Sequence, residues 1–256
     1  MNEKLIESKS NPFYKKLKKL YSSSSFREEQ KQTILDGPHL IQSFLQYGSP
    51  LAFIKDLSIN SPEIETLISQ INCSVYFLSH ELFMQLSELK SSTGILAIVD
   101  TPKSNPEKSD GLVLLLDGIQ DPGNLGSILR TSKATNVSAV VLSKTCADLW
   151  SPKTLRGSQG IQFSLQCSVQ DLDAWILNYE YDVIALKLNS ESIFKKRFNL
   201  NMAILVGNEG KGISNHLLKN VTDTISLPMN KDVESINVGA AVSVFVYEYY
   251  RQLNAD

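Results

Sequence analysis

The segment ILVGNEGKGIS, residues 204–214, followed after a helix-like interval by ISLPMNKDVESINVGAAVSVFVYEYYRQ, residues 225–252, decides how this chain is read. A short apolar run, Ala203 to Val206, stops at Gly207, and Gly207, Gly210 and Gly212 fall within six residues. Glycine admits positive φ and lets a ligand approach the backbone with no Cβ in the way. A buried strand that opens into such a loop offers a ligand site at its carboxyl end. A second run, Thr224 to Leu227, stops at Pro228, which has no N–H for a ladder. A polar loop with Lys231, Asp232, Glu234, Ser235 and Asn237 leads into a long apolar run from Val238. The order Gly-x-x-Gly-x-Gly is not the Gly-x-Gly-x-x-Gly of a dinucleotide fingerprint, so the loop does not support an ordinary Rossmann enzyme. Taken alone, Val238 to Tyr250 reads either way. It is Val-rich and aromatic like a strand, yet Gly239, Ala240 and Ala241 suit a closely packed helix and Arg251 a helix C-terminus.

Upstream, Leu112 to Leu116 is an all-apolar run typical of a strand buried on both faces. It ends in Asp117 to Gly126, DGIQDPGNLG, and a helix is expected from about Ser127 to Thr135, carrying Arg130. Asn124 suits a helix cap or a turn, and Arg130 a solvated helix face. Asp117 and Asp121 read as turn residues, because no His or further carboxylate accompanies them at ligand spacing, and no metal is expected. Strands are expected at Val137–Leu142, Phe163–Leu165 and Val183–Leu186, and helices from Trp150 and over Leu172–Asn178.

The first hundred residues have their own pattern. Asn11-Pro12 reads as a helix start, with Phe13, Leu17 and Leu20 inward and Lys15, Lys16, Lys18 and Lys19 outward. Ser22 to Ser25 reads as a polar break, and Arg27, Glu28, Glu29 and Lys31 as a charged approach to Thr33-Ile34-Leu35-Asp36-Gly37. Strands near Ile34, Leu51–Ile54, Val75–Leu78 and Gly94–Val99 then alternate with helices over Pro38–Tyr47, Pro62–Ile71 and Glu81–Leu89, the signature of an α/β sandwich. Residues 101–110, TPKSNPEKSD, have two prolines and no large apolar side chain, and read as a linker. The expected organisation is a domain over 1–100, a linker over 101–110 and a second domain over 111–256.

Composition sets limits. The chain has 256 residues, 42% apolar and 20% charged, with net charge −2. A nucleic-acid partner would need a local basic patch rather than a basic whole. Cys73, Cys146 and Cys167 form no CxxC pair and read as free thiols of a reducing cytosol. MNEKLIESKSNPF lacks an apolar signal core, no run approaches the ~20 apolar residues of a membrane span, and a cytoplasmic protein is expected. His39, His80 and His216 are scattered, and no Gly-x-Ser-x-Gly elbow supports a hydrolase.

Gly207-Asn208-Glu209-Gly210, Leu227-Pro228-Met229 and Ser235-Ile236-Asn237-Val238, with Tyr247-Glu248 and Arg251-Gln252 downstream, resemble the SpoU (TrmH-type) RNA 2′-O-ribose methyltransferases of the SPOUT superfamily. Asp117 to Arg130 resembles their first motif, an Asn and an Arg six residues apart around a Gly. The front half resembles the substrate-binding domain often attached to them, through Ser10-Asn11-Pro12 with Lys15 and Leu20, Asp36-Gly37, and Gly94-Ile95-Leu96-Ala97. Asp36 stands where that family usually has Glu, and Thr33 and Ile34 where its strand usually has Phe.

The resemblance implies a small N-terminal α/β sandwich that binds RNA. Behind it would stand a C-terminal SPOUT α/β domain with a parallel sheet and a trefoil knot, an exception to the rule against knots. It implies S-adenosylmethionine as cofactor, held by backbone at Gly207, Leu227 and Ile236. Arg130 would activate the ribose hydroxyl, Asn124 orient it, Glu209 anchor the loop or the ribose, and Ser235 and Asn237 line the site. The last run would be a helix at the interface of a homodimer with composite sites. The two-domain layout resembles enzymes of large-subunit (23S) rRNA more than single-domain tRNA enzymes. A tRNA methyltransferase and a non-catalytic RNA-binding or ribosome-assembly protein are the alternatives.

Overall fold

The structure is a computed structural model that describes residues 3–86, 91–102 and 110–254. Lys103 to Ser109 of the expected linker, and Leu89 of an expected helix, lie outside the described residues. The chain forms two compact units: Met1–Lys103 with Asp148–Phe163, and Ser104–Ala147 with Ser164–Asp256. In chain order the first elements are β1 (Glu3–Ile6), α1 (Pro12–Ser22), α2 (Ser24–Gln30), β2 (Gln32–Asp36), α3 (Pro38–Phe44) and β3 (Ala52–Asp56). There follow α4 (Pro62–Ser69), β4 (Ser74–Leu78), α5 (His80–Met84), β5 (Ile95–Asp100), β6 (Leu112–Leu116), α6 (Pro122–Ala134) and β7 (Ala139–Leu142). Then come α7 (Pro152–Ser158), a 3-10 turn (Ile161–Phe163), β8 (Gln166–Val169), α8 (Leu172–Leu177), β9 (Asp182–Ser192) and β10 (Met202–Val206). The last are α9 (Asn215–Leu218), β11 (Asp223–Ser226) and α10 (Val238–Asn254).

Among the described residues, the first unit holds a five-stranded sheet in the order β1-β4-β3-β5-β2. Strands β1, β4 and β3 run parallel, and β5 is antiparallel to both β3 and β2. Successive side chains of a strand point to opposite faces, and the sheet uses both. Ile6, Ile34, Ile54, Leu78, Leu96 and Ile98 meet Leu17 and Leu20 of α1 and Leu82 and Phe83 of α5. Leu35, Phe53, Val75, Ile95, Ala97 and Val99 meet Ile41 and Phe44 of α3 and Ile64, Leu67 and Ile68 of α4. The helix start at Asn11 is as the sequence indicates: its Oδ1 accepts the N–H groups of Phe13 at 2.8 Å and Tyr14 at 3.4 Å.

Two local expectations are corrected, and one strand is new. Strand β1 has no counterpart in the sequence reading. The expected polar break and charged approach form a helix, α2, capped by Ser23 Oγ on Phe26 N at 3.3 Å. Within it Arg27 is buried: it donates to the carbonyls of Leu20 at 2.6 Å and Tyr21 at 3.0 Å, closing the C-terminus of α1, and pairs with Asp148. The expected strand over Phe163–Leu165 is a 3-10 turn followed by β8. The reason is that Phe163 turns into the first unit's core against Phe44 and Trp150, with ring centroids 4.7 and 5.2 Å away.

Residues 148–163 are thus part of the first unit. Leu155 is fully buried among the α3 and α4 side chains. The guanidinium of Arg156 donates to Asp36 Oδ2 at 3.0 Å and to Tyr21 Oη at 2.9 Å, and Asp36 also accepts from Tyr21 at 2.6 Å and Thr93 at 2.8 Å. A buried carboxylate with this many donors is satisfied where an unpaired one would be costly.

The second unit is built on a six-stranded, wholly parallel sheet among the described residues, in the order β11-β9-β10-β6-β7-β8. The central strands β6 and β10 are buried throughout, as continuous apolar runs in a sheet covered on both faces should be. One face packs Val113, Leu115, Val141, Ala203 and Leu205 against Trp175 and Ile176 of α8 and Leu217 of α9. The alternate residues Leu114, Leu116, Val140, Leu142 and Ile204 turn to the other face and are also buried. Helices α6 and α10 pack on each other, with Thr131 Oγ1 and Ser243 Oγ 3.2 Å apart. Strand order reverses at β6: β7 and β8 build out on one side, β10 and β9 on the other. Crevices at the carboxyl ends of such strands are where open α/β sheets bind ligands.

Candidate active site

A cavity of about 470 Å³ opens in the second unit, lined by Val206 and Gly207 at the end of β10, Ser226 and Leu227 at the end of β11, and Val238 and Ala241 of α10. The loop after β10, Ser235 and Ile236 also line it, and Leu186 to Asn189 form a further wall. The register explains why these four are available. Thr224 pairs with Ala185, but the next residue, Ile225, pairs with Glu191, so the chain between leaves the ladder. Asn189 takes a left-handed φ of 60° in this excursion.

The loop after β10 closes as a small hairpin. Asn208 N donates to Gly212 O at 3.1 Å and Gly212 N to Asn208 O at 2.8 Å. A Cβ on Gly207 would stand 2.4 Å from the backbone of Gly212 and Ile213, and Gly212 has φ +68°. Both glycines are therefore required by the loop's own geometry. Asn208, to which the sequence reading gave no separate role, locks the turn. Its Oδ1 accepts from Gly210 N at 2.8 Å and Lys211 N at 3.2 Å, and its Nδ2 donates to Gly118 O at 2.7 Å. Asp117 and Asp121, read as turn residues, each hold backbone. Asp117 accepts from Ser214 N at 2.8 Å, and Asp121 caps α6 on Asn124 N at 2.8 Å.

Because Asp121 does the capping, the Asn124 side chain is committed elsewhere. Its Nδ2 donates to Glu209 Oε1 at 2.7 Å, and its Oδ1 accepts from Asn237 Nδ2 at 2.9 Å. Glu209 Oε1 also accepts from Asn237 Nδ2 at 3.0 Å and from Val238 N at 3.1 Å. Asn237 in turn begins α10, its Oδ1 accepting from Ala240 N at 3.2 Å. A carboxylate at the amino end of a 17-residue helix is favoured by the helix dipole as well as by its donors. One carboxylate oxygen thus joins the loops after β6 and β10 to the start of α10.

The structure brings Asn124, Glu209 and Asn237 together and sets Gly207, Leu227, Ser235 and Ile236 around the cavity. Arg130 stands apart. Six residues along α6 place it about 240° around the helix from Asn124, exposed, outside the cavity lining and with no hydrogen-bond or ion-pair partner among the described residues. Glu248, Arg251 and Gln252 are away from the cavity and do structural work. Arg251 donates to Glu248 at 2.8 and 2.9 Å, and Gln252 binds the backbone of Lys196 and Phe198 at 3.0 and 3.1 Å. Hydrogen bonds from Arg251 hold the Glu248 carboxyl down at about 2. Among the described residues no three His, Cys, Asp or Glu side chains group as metal ligands, and no helix is long and apolar enough to cross a membrane.

Residues 111–247, which hold the cavity and the Asn124–Glu209–Asn237 network, match the model of the SpoU rRNA Methylase family. The chain belongs to that family. The chain is also 30% identical over 250 residues to the 23S rRNA (guanosine(2553)-2'-O)-methyltransferase RlmP of Bacillus subtilis, covering 95% of this chain and 98% of that one. A crystal structure of an RNA 2′-O ribose methyltransferase superposes with TM-score 0.82 at 26% identity, covering 97% of this chain and 99% of its own. The SpoU methyltransferase AviRb from Streptomyces viridochromogenes, solved with AdoMet, shares the fold at TM-score 0.87 and 23% identity, over 96% of this chain and 99% of its own. As a SpoU enzyme the chain is an S-adenosylmethionine-dependent RNA methyltransferase, and the expected mixed α/β fold with its parallel sheet is the fold found.

The cavity suits that cofactor. Its volume lies in the range of small-molecule sites, and Leu186, Leu188, Leu218, Ile236 and Val238 give it apolar walls. The strand ends at Val206 and Ser226 present backbone polar groups for orientation.

Proposed function

We propose that this chain methylates a ribose 2′-hydroxyl of large-subunit rRNA, in the cytoplasm and as a homodimer, with the C-terminal segment tucked through a trefoil knot. The observation that carries the site assignment is the Asn124–Glu209–Asn237 network beside the cavity, inside the family-matched segment. Backbone at Gly207, Leu227 and Ile236 would hold S-adenosylmethionine, which supplies an electrophilic methyl group on a sulfonium sulfur. A ribose hydroxyl is a poor nucleophile, so the chain's own residues must chiefly align it and ease loss of its proton.

Glu209 and Asn237 fix the loop geometry, and Asn124 and Ser235 orient the hydroxyl. Arg130 keeps its charge at any working pH. Its role is to bind the hydroxyl and a neighbouring phosphate and to stabilise the developing alkoxide. Its exposure on α6, away from the cavity of its own chain, supports a site completed by a second copy. So does the stripe Ala240, Val244, Tyr247 and Arg251 on α10, exposed at helical spacing with Tyr247 54% accessible.

The test is methyl transfer from labelled S-adenosylmethionine to unmodified total RNA, separated into rRNA and tRNA, with Arg130→Ala beside the wild type. Label recovered as 2′-O-methyl nucleoside in large-subunit rRNA, and lost in the variant, is the expected result. Label in tRNA alone moves the substrate to tRNA. Cofactor binding without transfer to any RNA, including ribosome-assembly intermediates, identifies a binding protein.

A further inference from the structure

One end of the chain is locally basic. Residues 1–21 hold six lysines and two glutamates, net +4, in a chain whose total is −2. This stretch borders a groove of about 510 Å³ on the first unit, between edge strand β1 and the start of α1. Its walls include Lys4, Pro12, Phe13 and Tyr76. Phe13 and Tyr76 stack at 3.7 Å between centroids and 17° between planes, and both are only half-buried. The β1–β4 register puts Lys4 directly beside Tyr76 on the same face of the sheet, with Nζ 5.7 Å from the ring centre. Glu3, on the alternate side of the strand, points to the opposite face.

Helix α1 extends the charge away from the groove. Lys15 and Lys19 follow Pro12 at i+3 and i+7, and Lys16 follows Phe13 at i+3, so lysines continue the two helical rows that enter the groove. No acidic residue lies in α1, and none of these three lysines has an ion-pair partner among the described residues.

A half-exposed aromatic pair bordering a groove, a cation beside it and a row of lysines without ion-pair partners leading away, Lys19 resting over the Phe26 ring, match an unpaired nucleotide and the phosphates next to it. We infer that this groove seats an unpaired base of the RNA substrate on Phe13 and Tyr76, with its backbone running along Lys15, Lys16 and Lys19. A peptide partner would find little to bind here beyond the stack, since the surrounding charge favours a polyanion. The inference rests on the reading of the chain as an RNA methyltransferase and gives that enzyme a substrate contact remote from the residues of methyl transfer.

The test measures binding of the full-length protein to a labelled single-stranded RNA 12-mer and to a duplex of the same sequence, across a salt series. Wild type, Tyr76→Leu, Tyr76→Phe, Lys4→Gln and the triple Lys15→Gln/Lys16→Gln/Lys19→Gln variant are compared, each with its thermal melt and its S-adenosylmethionine affinity. Tyr76→Leu should weaken single-strand binding about tenfold, the scale of one base–aromatic stack, while Tyr76→Phe keeps it. The triple variant should lower the salt slope by about two, from three phosphate contacts at ~0.7 each.

These losses with melting and cofactor affinity unchanged support the groove, and they do so even if the wild type transfers no methyl, which would overturn the enzymatic reading alone. Unchanged RNA affinity in Tyr76→Leu and the triple variant, with methylation intact, overturns the groove and leaves the enzyme. Equal loss on duplex and single strand overturns the base-seating part, since a duplex has no free base to offer.

Discussion

Glu209 shows how much one atom can hold. Its Oε1 accepts from Asn124, Asn237 and Val238 N, so Glu209→Ala removes three bonds, although Asn237 Nδ2 keeps its bond to Asn124 Oδ1. The two side-chain donors are exposed, so water takes over from the lost acceptor at little cost, and only Val238 N is partly buried, where an unpaired donor costs about 1 kcal/mol. We expect a net loss of about 1 kcal/mol on that scale, read as a lower denaturation midpoint, together with weaker cofactor binding by calorimetry. Glu209→Gln keeps an acceptor oxygen and should fall between the two.

Gly207→Ala acts differently, because its Cβ meets backbone at 2.4 Å rather than a yielding side chain. The loop must shift, and S-adenosylmethionine affinity should drop at least tenfold, about 1.4 kcal/mol. Unchanged affinity would show that the loop does not shape the cofactor site. The sequence showed that Gly207 was special but suggested a different reason, ligand approach, where the chain's own return at Gly212 already demands it. For Asn124 the sequence left a cap and a motif residue open. Only coordinates could show that Asp121 takes the capping, because both side chains are competent acceptors at that turn.

At the scale of elements, long apolar runs were legible and context-dependent segments were not. Leu112–Leu116 emerged as β6 with the expected bounds, since a strand buried on both faces has one reading. Val238–Tyr250 was undecided between strand and helix because valines and aromatics favour one and the small residues allow the other. Tertiary packing against α6 settles it as helix. Arg27 was read only as part of a charged approach to the next strand, because nothing local announces that a charged side chain will close the carbonyl end of the preceding helix.

Residues 148–163 are the same lesson over a longer distance. Leu155, Arg156 and Phe163 look like parts of the second half, yet their partners Asp36, Phe44 and Tyr21 are over a hundred residues away. Leu155→Ala should therefore destabilise the first unit by about 2–5 kcal/mol. Hydrogen exchange should show faster exchange in β2 and β5, and protection lost only around β6 and β10 would contradict this placement.

On α10, Glu248 titrates at about 2 against an ordinary 4.5, so its contribution is complete above pH 4.5 and is lost as pH falls towards 2. The melting-temperature gap between wild type and Glu248→Gln should close on acidification through that window. A gap that stays constant with pH would mean that the Arg251 pair contributes nothing through its charge.

For the whole molecule, the separation of Arg130 from the Asn124–Glu209–Asn237 network makes a quantitative demand. If each site takes its cavity from one chain and its arginine from the other, two single variants damage different contributions to the same site. Arg130→Ala and Glu209→Ala homodimers should each be nearly inactive. When the two are mixed, unfolded and refolded together, half the dimers are mixed pairs. In a mixed pair one site combines both lesions and the other combines the two intact contributions. The expected recovery is about one quarter of the wild-type rate, given random pairing of a two-fold symmetric assembly. Sites complete within one chain predict no recovery at any mixing ratio, because every chain carries a lesion. The resemblance already implied composite sites, but not which residues part company: Asn124 and Arg130 sit six residues apart in one motif, and the helical turn between them makes them face different ways.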